Sequence, residues 1–257
     1  MTLRTDLQYK NGGIQTSKSA DLRKQLPTVS LTPKLASDKW AVGIMKDIGE
    51  DNAADPDLSE ALNLHKRMVS NIKSVVSQRD NQSPDLPQSR HLNDVNNAYQ
   101  RIVKGFSSAL ETTRTRVADK HSKLDAEFES KLKFNNSQAV ELRSILRSMN
   151  DVDRMAAINQ AVDDGNGNLL AAVLDSDPLA VGIKPSLQTS LRSLAMQKHA
   201  PSVYKLKEAL KKADELVFGS FTDLIEAGDS VTAKAIREEY QRQAQQAEEA
   251  KIKSEFL

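Results

Sequence analysis

The chain has 257 residues, and its 36 lysines and arginines nearly balance its 35 aspartates and glutamates, giving a formal net charge of +1. A nucleic-acid-binding domain usually carries a clear basic excess, so this balance argues against that class. The sequence contains no cysteine, which excludes disulfides and thiolate metal sites, and no apolar stretch approaches the roughly 18 residues of a membrane-spanning helix.

Residues 1–36 form an arm of low hydrophobicity. The segment carries Gly12, Gly13, Pro27 and Pro33 with many serines and threonines, and no strand pattern stands out in it. Such a composition buries too little surface to offset its own ordering entropy. We therefore expect something else to hold the arm, either a neighbouring chain or the long helix of the same chain.

Two short segments follow the arm. The apolar-rich stretch Leu35–Ile48, which includes Trp40, predicts a helix or turn that docks on the body. Asp55-Pro56-Asp57 then predicts a helix start, because proline suits the first turn and acidic groups complement the helix dipole. Apolar residues at helical spacing extend that helix to about Gln78.

The dominant feature of the sequence is one very long helix, predicted at about 90–134. Its apolar residues recur almost entirely at steps of three or four, which is the period of a helix. At 1.5 Å per residue, about forty residues give a length of roughly 60 Å, typical of a coiled coil or a bundle spine. The apolar positions are Leu92, Val95, Tyr99, Ile102, Phe106, Ala109, Val117, Leu124, Phe128 and Leu132.

Shorter helices are predicted between Ser137 and about residue 227, separated by glycines and prolines. The last stretch, 228–257, is rich in strong helix formers but has only a thin apolar stripe around Ile236 and Tyr240. A helix that is polar nearly all round either lies in solvent or waits for a partner.

These patterns predict an all-α fold. We expect a helical bundle built on the long central helix, with three parts: an extended N-terminal arm (1–36), a helical body (37–227) and a projecting, polar C-terminal helix (228–257). The candidate surface for oligomerisation or partner binding consists of the larger apolar residues of the long and C-terminal helices. They are Leu92, Tyr99, Phe106, Phe128, Ile236, Tyr240, Phe256 and Leu257.

One short segment, Asp164-Gly165-Asn166-Gly167-Asn168, resembles a calcium loop at first sight. An EF-hand loop needs glycine at its sixth position and glutamate at its twelfth. Counted from Asp164, those positions hold Leu169 and Asp175. We therefore interpret the segment as a glycine C-cap and a turn between two helices, and we predict no metal site and no cofactor.

The sequence carries no local signature of an enzyme. The histidines, His65, His91, His121 and His199, are far apart and lack metal-ligand spacing, and there is neither a G-x-S-x-G motif nor a glycine-rich phosphate loop. His65 and His121 fall near apolar stripes, and we predict that they are hydrogen-bonded interfacial histidines. We predict no catalytic residues and no enzymatic activity.

A lysine cluster near the start of the last third of the chain has two interpretations. It consists of Lys198, Lys205, Lys207, Lys211 and Lys212. The ordinary interpretation is a helix face that is exposed to solvent. Weak contact with DNA is the alternative, and it predicts a strong dependence on salt.

Several strings between about Gln138 and Leu216 carry a family resemblance. They are Ala139–Arg143, Arg154–Ile158, Asn168–Leu174 and His199–Pro201. In these strings the chain resembles helical structural and morphogenesis proteins of tailed bacteriophages. The resemblance implies a non-enzymatic virion protein, present in many copies near the portal and neck, where head and tail connect, or inside the head.

The same resemblance implies partners and a location. The partners are other copies of the chain and other virion proteins, such as portal or capsid, and the location is the virion, assembled in the host cytoplasm. Two alternatives remain open at this point. One is a scaffold or an internal protein that is ejected; the other is a coiled-coil adaptor or effector that binds a host protein.

Overall fold

The computed structural model describes residues 7–10, 13–16, 24–48, 52 and 54–255. Within these ranges the fold is all-α with twelve helices, which confirms the predicted class. The helices are α1 Pro33–Ala36, α2 Lys39–Ile48, α3 Pro56–Asp80, α4 Gln88–Lys131, α5 Ala139–Ser148, α6 Asp151–Asp164, α7 Gly167–Leu174, α8 Pro178–Val181, α9 Pro185–His199, α10 Pro201–Glu226, α11 Gly228–Val231 and α12 Lys234–Glu255.

The long helix is present as predicted. α4 runs over 44 residues, from Gln88 to Lys131. It ends three residues before the predicted 134 because Lys133 adopts a left-handed backbone conformation (φ 53°), which a continuing helix cannot contain. The predicted start of α3 is also confirmed, since the Asp55 carboxylate accepts hydrogen bonds from the backbone N–H groups of Asp57 and Leu58.

A small antiparallel strand pair lies in the arm, where no strand was predicted. β1 (Leu7–Lys10) pairs with β2 (Gly13–Thr16), with Leu7 opposite Thr16 and Lys10 opposite Gly13. The sequence between the strands is Asn11-Gly12, the dipeptide most typical of two-residue hairpins. This local turn signal explains a pairing that the low hydrophobicity of the arm concealed.

The chain divides into two compact units. The first unit comprises Met1–Thr32, Ser70–Lys104 and Asp223–Leu257, and the second comprises Pro33–Val69 and Gly105–Thr222. Each has an apolar core of its own; Leu92, Val95 and Leu224 are buried in the first, and Leu58, Phe128, Ile158 and Leu170 in the second. The three-part division of the sequence into arm, body and C-terminal helix stays a prediction.

Two glycines fix the joint between α6 and α7 in the second unit. Gly165 ends α6 in the left-handed conformation (φ 67°), and the Asn166 side chain caps α7 by accepting from the Leu169 N–H. A Cβ on Gly167 would lie 2.0 Å from the carbonyl oxygen of Leu132, so only glycine fits there. The interpretation of this segment as a C-cap and turn is therefore confirmed.

None of the helices in the described ranges combines the length and the apolar character that a membrane span needs.

Candidate assembly surfaces

Four of the eight predicted interface residues lie in the chain's own core. Leu92 and Phe128 are fully buried, and Tyr99 and Phe106 are at most 6% exposed. The apolar stripe of α4 is thus covered by residues of the same chain. This burial corrects the expectation that these four side chains are available to a partner.

Tyr99 is tied to the first unit through its hydroxyl. The Tyr99 Oη donates a hydrogen bond to the Leu224 carbonyl oxygen at 2.6 Å. Gly228 packs against the ring, since a Cβ on Gly228 would lie 2.8 Å from the hydroxyl oxygen. Burial, with a contribution from Asp229, raises the pKa of Tyr99 to about 12, so the hydroxyl stays protonated and keeps donating.

Tyr240 belongs to a polar cluster that we call the clasp, formed by Lys24, Gln88, Glu239 and Tyr240. The Gln88 side chain is bonded to both backbone groups of Lys24: its Oε1 accepts from the N–H at 2.9 Å and its Nε2 donates to the carbonyl at 2.8 Å. The Tyr240 hydroxyl donates to the same Oε1 at 2.6 Å. Lys24 also pairs with Glu239, and its ammonium lies 4.9 Å from the Tyr240 ring centroid.

The clasp holds the arm, α4 and α12 together within the first unit. The arm has further contacts in the same unit, because the Arg79 guanidinium bonds the Pro27 carbonyl and the Thr32 hydroxyl bonds the Asp223 carboxylate at 2.6 Å. For residues 24–32 the chain itself is therefore the holder of the arm. A role for a neighbouring chain stays a prediction for residues outside that range.

The two ends of α12 differ in their surroundings. Ile236 and Tyr240, near its start, are half-buried, whereas every residue from 241 to 254 is exposed. Phe256 and Leu257, the remaining interface candidates, lie outside the described residues. The outer part of α12 is thus a helical surface that is exposed in the described chain, and its expected projection from the body stays a prediction.

Three of the four histidines are bonded to backbone carbonyl oxygens, which can only accept, so the bonded ring nitrogen is the donor. Burial lowers the pKa of His65, which favours the neutral imidazole, in which one ring nitrogen still carries a hydrogen and can donate it. Within the described residues no group of acidic or histidine side chains is arranged to hold a metal ion. The Nε2 atoms lie 3.0 Å from the Lys34 oxygen (His65), 3.0 Å from the Arg79 oxygen (His91) and 2.6 Å from the Val162 oxygen (His199).

Most of the lysine cluster is engaged with carboxylates of the second unit. Such pairing favours the interpretation as a solvated, ion-paired face, and contact with DNA stays a prediction. The pairs are Lys198 with Asp163 (2.8 Å), Lys207 with Asp125 (2.5 Å) and Lys212 with Asp47 (3.4 Å).

An arginine that sequence analysis missed lies at the centre of an ion network. The Arg192 guanidinium contacts Asp125 (3.3 Å), Glu129 (3.1 Å) and Asp175 (2.8 Å). Burial, together with the charge of Glu129, raises the pKa of Asp175 despite that contact. These residues are up to 67 positions apart in sequence, so no local pattern could have indicated the network.

The second uncovered surface lies on α2, in the second unit. Ala41 and Ile48 of this helix are buried, while Trp40 is 53% and Val42 is 42% exposed. A largely apolar groove of about 650 Å³ runs along the exposed side of α1 and α2. It is lined by Pro33, Ala36, Ser37, Lys39, Trp40, Gly43, Ile44 and Asp47.

No protein-family model, curated protein or solved structure matches this chain in the comparisons made. The resemblance to phage structural proteins therefore depends on the sequence strings given above.

Proposed function

We propose that the chain is a non-enzymatic structural protein that works in many copies as an assembly subunit. Following the resemblance in its sequence, we place it in the virion of a tailed bacteriophage, near the portal and neck or inside the head. Its partners are other copies of itself and other virion proteins.

The observation that carries the proposal is the outer part of α12. An isolated helix of this length is marginal in water, and most helices in proteins are stabilised by burying one face. Every residue from 241 to 254 is exposed in the described chain, yet the clasp fixes the start of the helix at Tyr240. A helix anchored at one end and uncovered at the other is suited to contact another subunit, and we take that subunit to be a second copy.

The use of the histidines supports a structural role. A histidine that acts as an acid, a base or a metal ligand needs a ring nitrogen directed at a substrate or an ion. His91 is buried and His199 is half-buried, and each has its Nε2 bonded to a backbone carbonyl, where it connects two segments of its own unit. We infer that these side chains stabilise the fold.

The test is the mass of the full-length protein in solution, measured by light scattering over a range of concentrations. It is compared with a variant that ends at Tyr240, which keeps the clasp. A second variant carries residues 241–254 in shuffled order, so that the composition and the helix propensity stay the same and the faces of the helix change.

We expect concentration-dependent oligomers for the full-length protein and a loss of mass for both variants, with unchanged thermal unfolding. Oligomers that survive both changes would show that α12 is not the assembly element. A full-length protein that stays monomeric at every concentration and binds one unrelated protein would replace the proposal with the adaptor class.

A further inference from the structure

α2 has a buried face and an exposed face. Ala41 and Ile48 face the core of the second unit, and they are 0% and 3% exposed. The opposite side of the helix carries Lys39, Trp40 and Gly43, followed by Asp47 one turn later. We call these four residues the α2 stripe; their steps of one, three and four place them on one side of a helix.

Gly43 is at the centre of this stripe. No contact within the described chain explains why this position is a glycine. Among the described residues, a Cβ built on Gly43 meets no atom within 4 Å, whereas one on Gly219 meets the Lys34 ammonium at 2.8 Å. After proline, glycine is the least favourable residue in a helix interior. Its use here, on an exposed apolar face, suits a site that another backbone approaches closely.

The charges of the stripe are arranged symmetrically about Gly43. Lys39 lies four residues before it and Asp47 four residues after it. When two such helices pair antiparallel with their Gly43 residues opposed, each Lys39 faces the Asp47 of the other copy. Asp47 also lies 3.4 Å from Lys212, but both side chains are more than half exposed, which leaves the carboxylate accessible.

We propose that the α2 stripe binds the α2 stripe of a second copy, antiparallel, about a two-fold axis at Gly43. A two-fold contact of this kind uses the same surface on both copies and must be self-complementary, and the Lys39 and Asp47 charges meet that condition. The pairing removes Trp40 from water on both copies. This inference rests on the proposed assembly function and names a surface for it that is separate from α12.

The contact is small. α2 has 10 residues, so the paired stripes bury less than the roughly 1,200 Å² below which specific interfaces become transient. The dimer is therefore weak in dilute solution, and it becomes effective where many copies are held together. Self-association has to be measured at high protein concentration.

The chain contains a single tryptophan, Trp40, which makes its fluorescence a direct probe of the stripe. We expect the emission maximum of the full-length protein to shift to shorter wavelength as concentration rises, in parallel with the mass from sedimentation equilibrium. Gly43→Gln places a side chain at the centre of the contact and should abolish the shift. Gly105→Gln is the matched control, because Gly105 is also a helical glycine with no atom within 4 Å of a Cβ.

Charge reversal tests the antiparallel register. Lys39→Glu and Asp47→Lys each replace two attractive pairs with two repulsive ones, and we expect each to weaken the dimer by about tenfold. The double variant restores opposite charges and should recover the shift. Mixing the two single variants should also recover it, because the glutamate of one then faces the lysine of the other.

Trp40 emission that is the same for the full-length protein, Gly43→Gln and Lys39→Glu at all concentrations would overturn the inference. An equal effect of Gly105→Gln, or a double variant that stays as weak as the single ones, would overturn it as well. Oligomers that lose mass on removal of 241–254 but are unaffected by the α2 variants would leave the proposed function standing and reject this surface alone. Circular dichroism of each variant confirms that its helices are intact.

Discussion

α7 and the outer part of α12 are helices for opposite reasons. Six of the eight residues of α7 are buried, and polar caps stand at both of its ends. Residues 241–254 of α12 are all exposed and consist mainly of alanine, glutamine, glutamate and lysine. α7 is thus helical because its surroundings require it, whereas the outer part of α12 relies on the propensity of its residues. Substitutions in and around α7 should therefore lower the free energy of unfolding strongly, whereas substitutions in the outer part of α12 should change it very little.

The largest effect is expected in the core that surrounds α7. Phe128 is fully buried, its ring centroid lies 5.6 Å from that of Phe134, and Arg192 above it reaches Asp175 at the end of α7. Phe128→Ala should lower the free energy of unfolding by about 3–5 kcal/mol in urea denaturation. Phe218→Ala is the control: this ring is 48% exposed and contacts Arg114, so a loss of about 1 kcal/mol is expected. Equal losses would contradict the assignment of Phe128 to the core.

A smaller but still large effect is expected at the start of α7. Gly167→Ala places a methyl group 2.0 Å from the Leu132 carbonyl oxygen, and relief of that clash requires the backbone to move. We expect a destabilisation of about 3 kcal/mol, measured by thermal and urea unfolding. Gly43→Ala, where the space is open, should be neutral or slightly stabilising in dilute solution. A neutral Gly167→Ala would show that the joint between α6 and α7 is looser than the structure has it.

The buried regions should also give the protein a pH dependence that exposed helices do not. Burial lowers the pKa of His65 below its ordinary 6.5, with Asp38 and Lys66 as the nearby charges, and burial also lowers the pKa of His121. The unfolded chain therefore binds more protons near and below pH 6.5, so stability is complete above that pH and falls as the pH decreases towards the folded pKa values. Urea denaturation at pH 7.5 and 5.5 should show a smaller difference for His65→Gln than for the unchanged chain. An identical difference would indicate that His65 does not titrate with unfolding.

The smallest effect is expected in the outer part of α12. Ala247→Gly should change the free energy of global unfolding by less than about 0.5 kcal/mol, because this residue is exposed. It should nevertheless reduce helical circular dichroism, since glycine costs a helix about 1 kcal/mol relative to alanine. The same substitution at Ala172, which is fully buried in α7, should lower global stability measurably. Equal changes in the free energy of global unfolding at Ala247 and Ala172 would contradict the proposed difference between the two regions.

The contrast also explains what could be predicted from sequence. The period of apolar residues in α4 predicts a helix over about 90–134, and the structure has Gln88–Lys131. The same period indicates which residues face away from solvent, but it cannot indicate what covers them. For this reason the sequence suggests Phe106 and Phe128 as interface residues, whereas the structure buries both in the core of the chain.

Polar contacts between distant segments could not be predicted. Gln88 is 64 residues from Lys24 and 152 from Tyr240, and a glutamine at a helix start carries no local signal of such a role. The acidic partners of Arg192 pose the same difficulty. For the candidate surfaces, the sequence indicates a thin apolar stripe in the last helix. The exposure of Trp40 and the open space at Gly43 can be recognised only in the structure.

The clasp has a mechanical consequence for the helix it anchors. The clasp holds α12 at Tyr240, and residues 241–254 beyond it are exposed in the described chain. In the proposed contact with a second copy, α12 would act as a spacer whose reach is set by its number of residues. Residues 241–254 extend roughly 20 Å at 1.5 Å per residue. Inserting or deleting two helical turns, about seven residues, would change the distance to a bound subunit by about 10 Å and preserve the face it presents. In the proposed assembly, the number of residues in this segment would set the spacing between neighbouring copies.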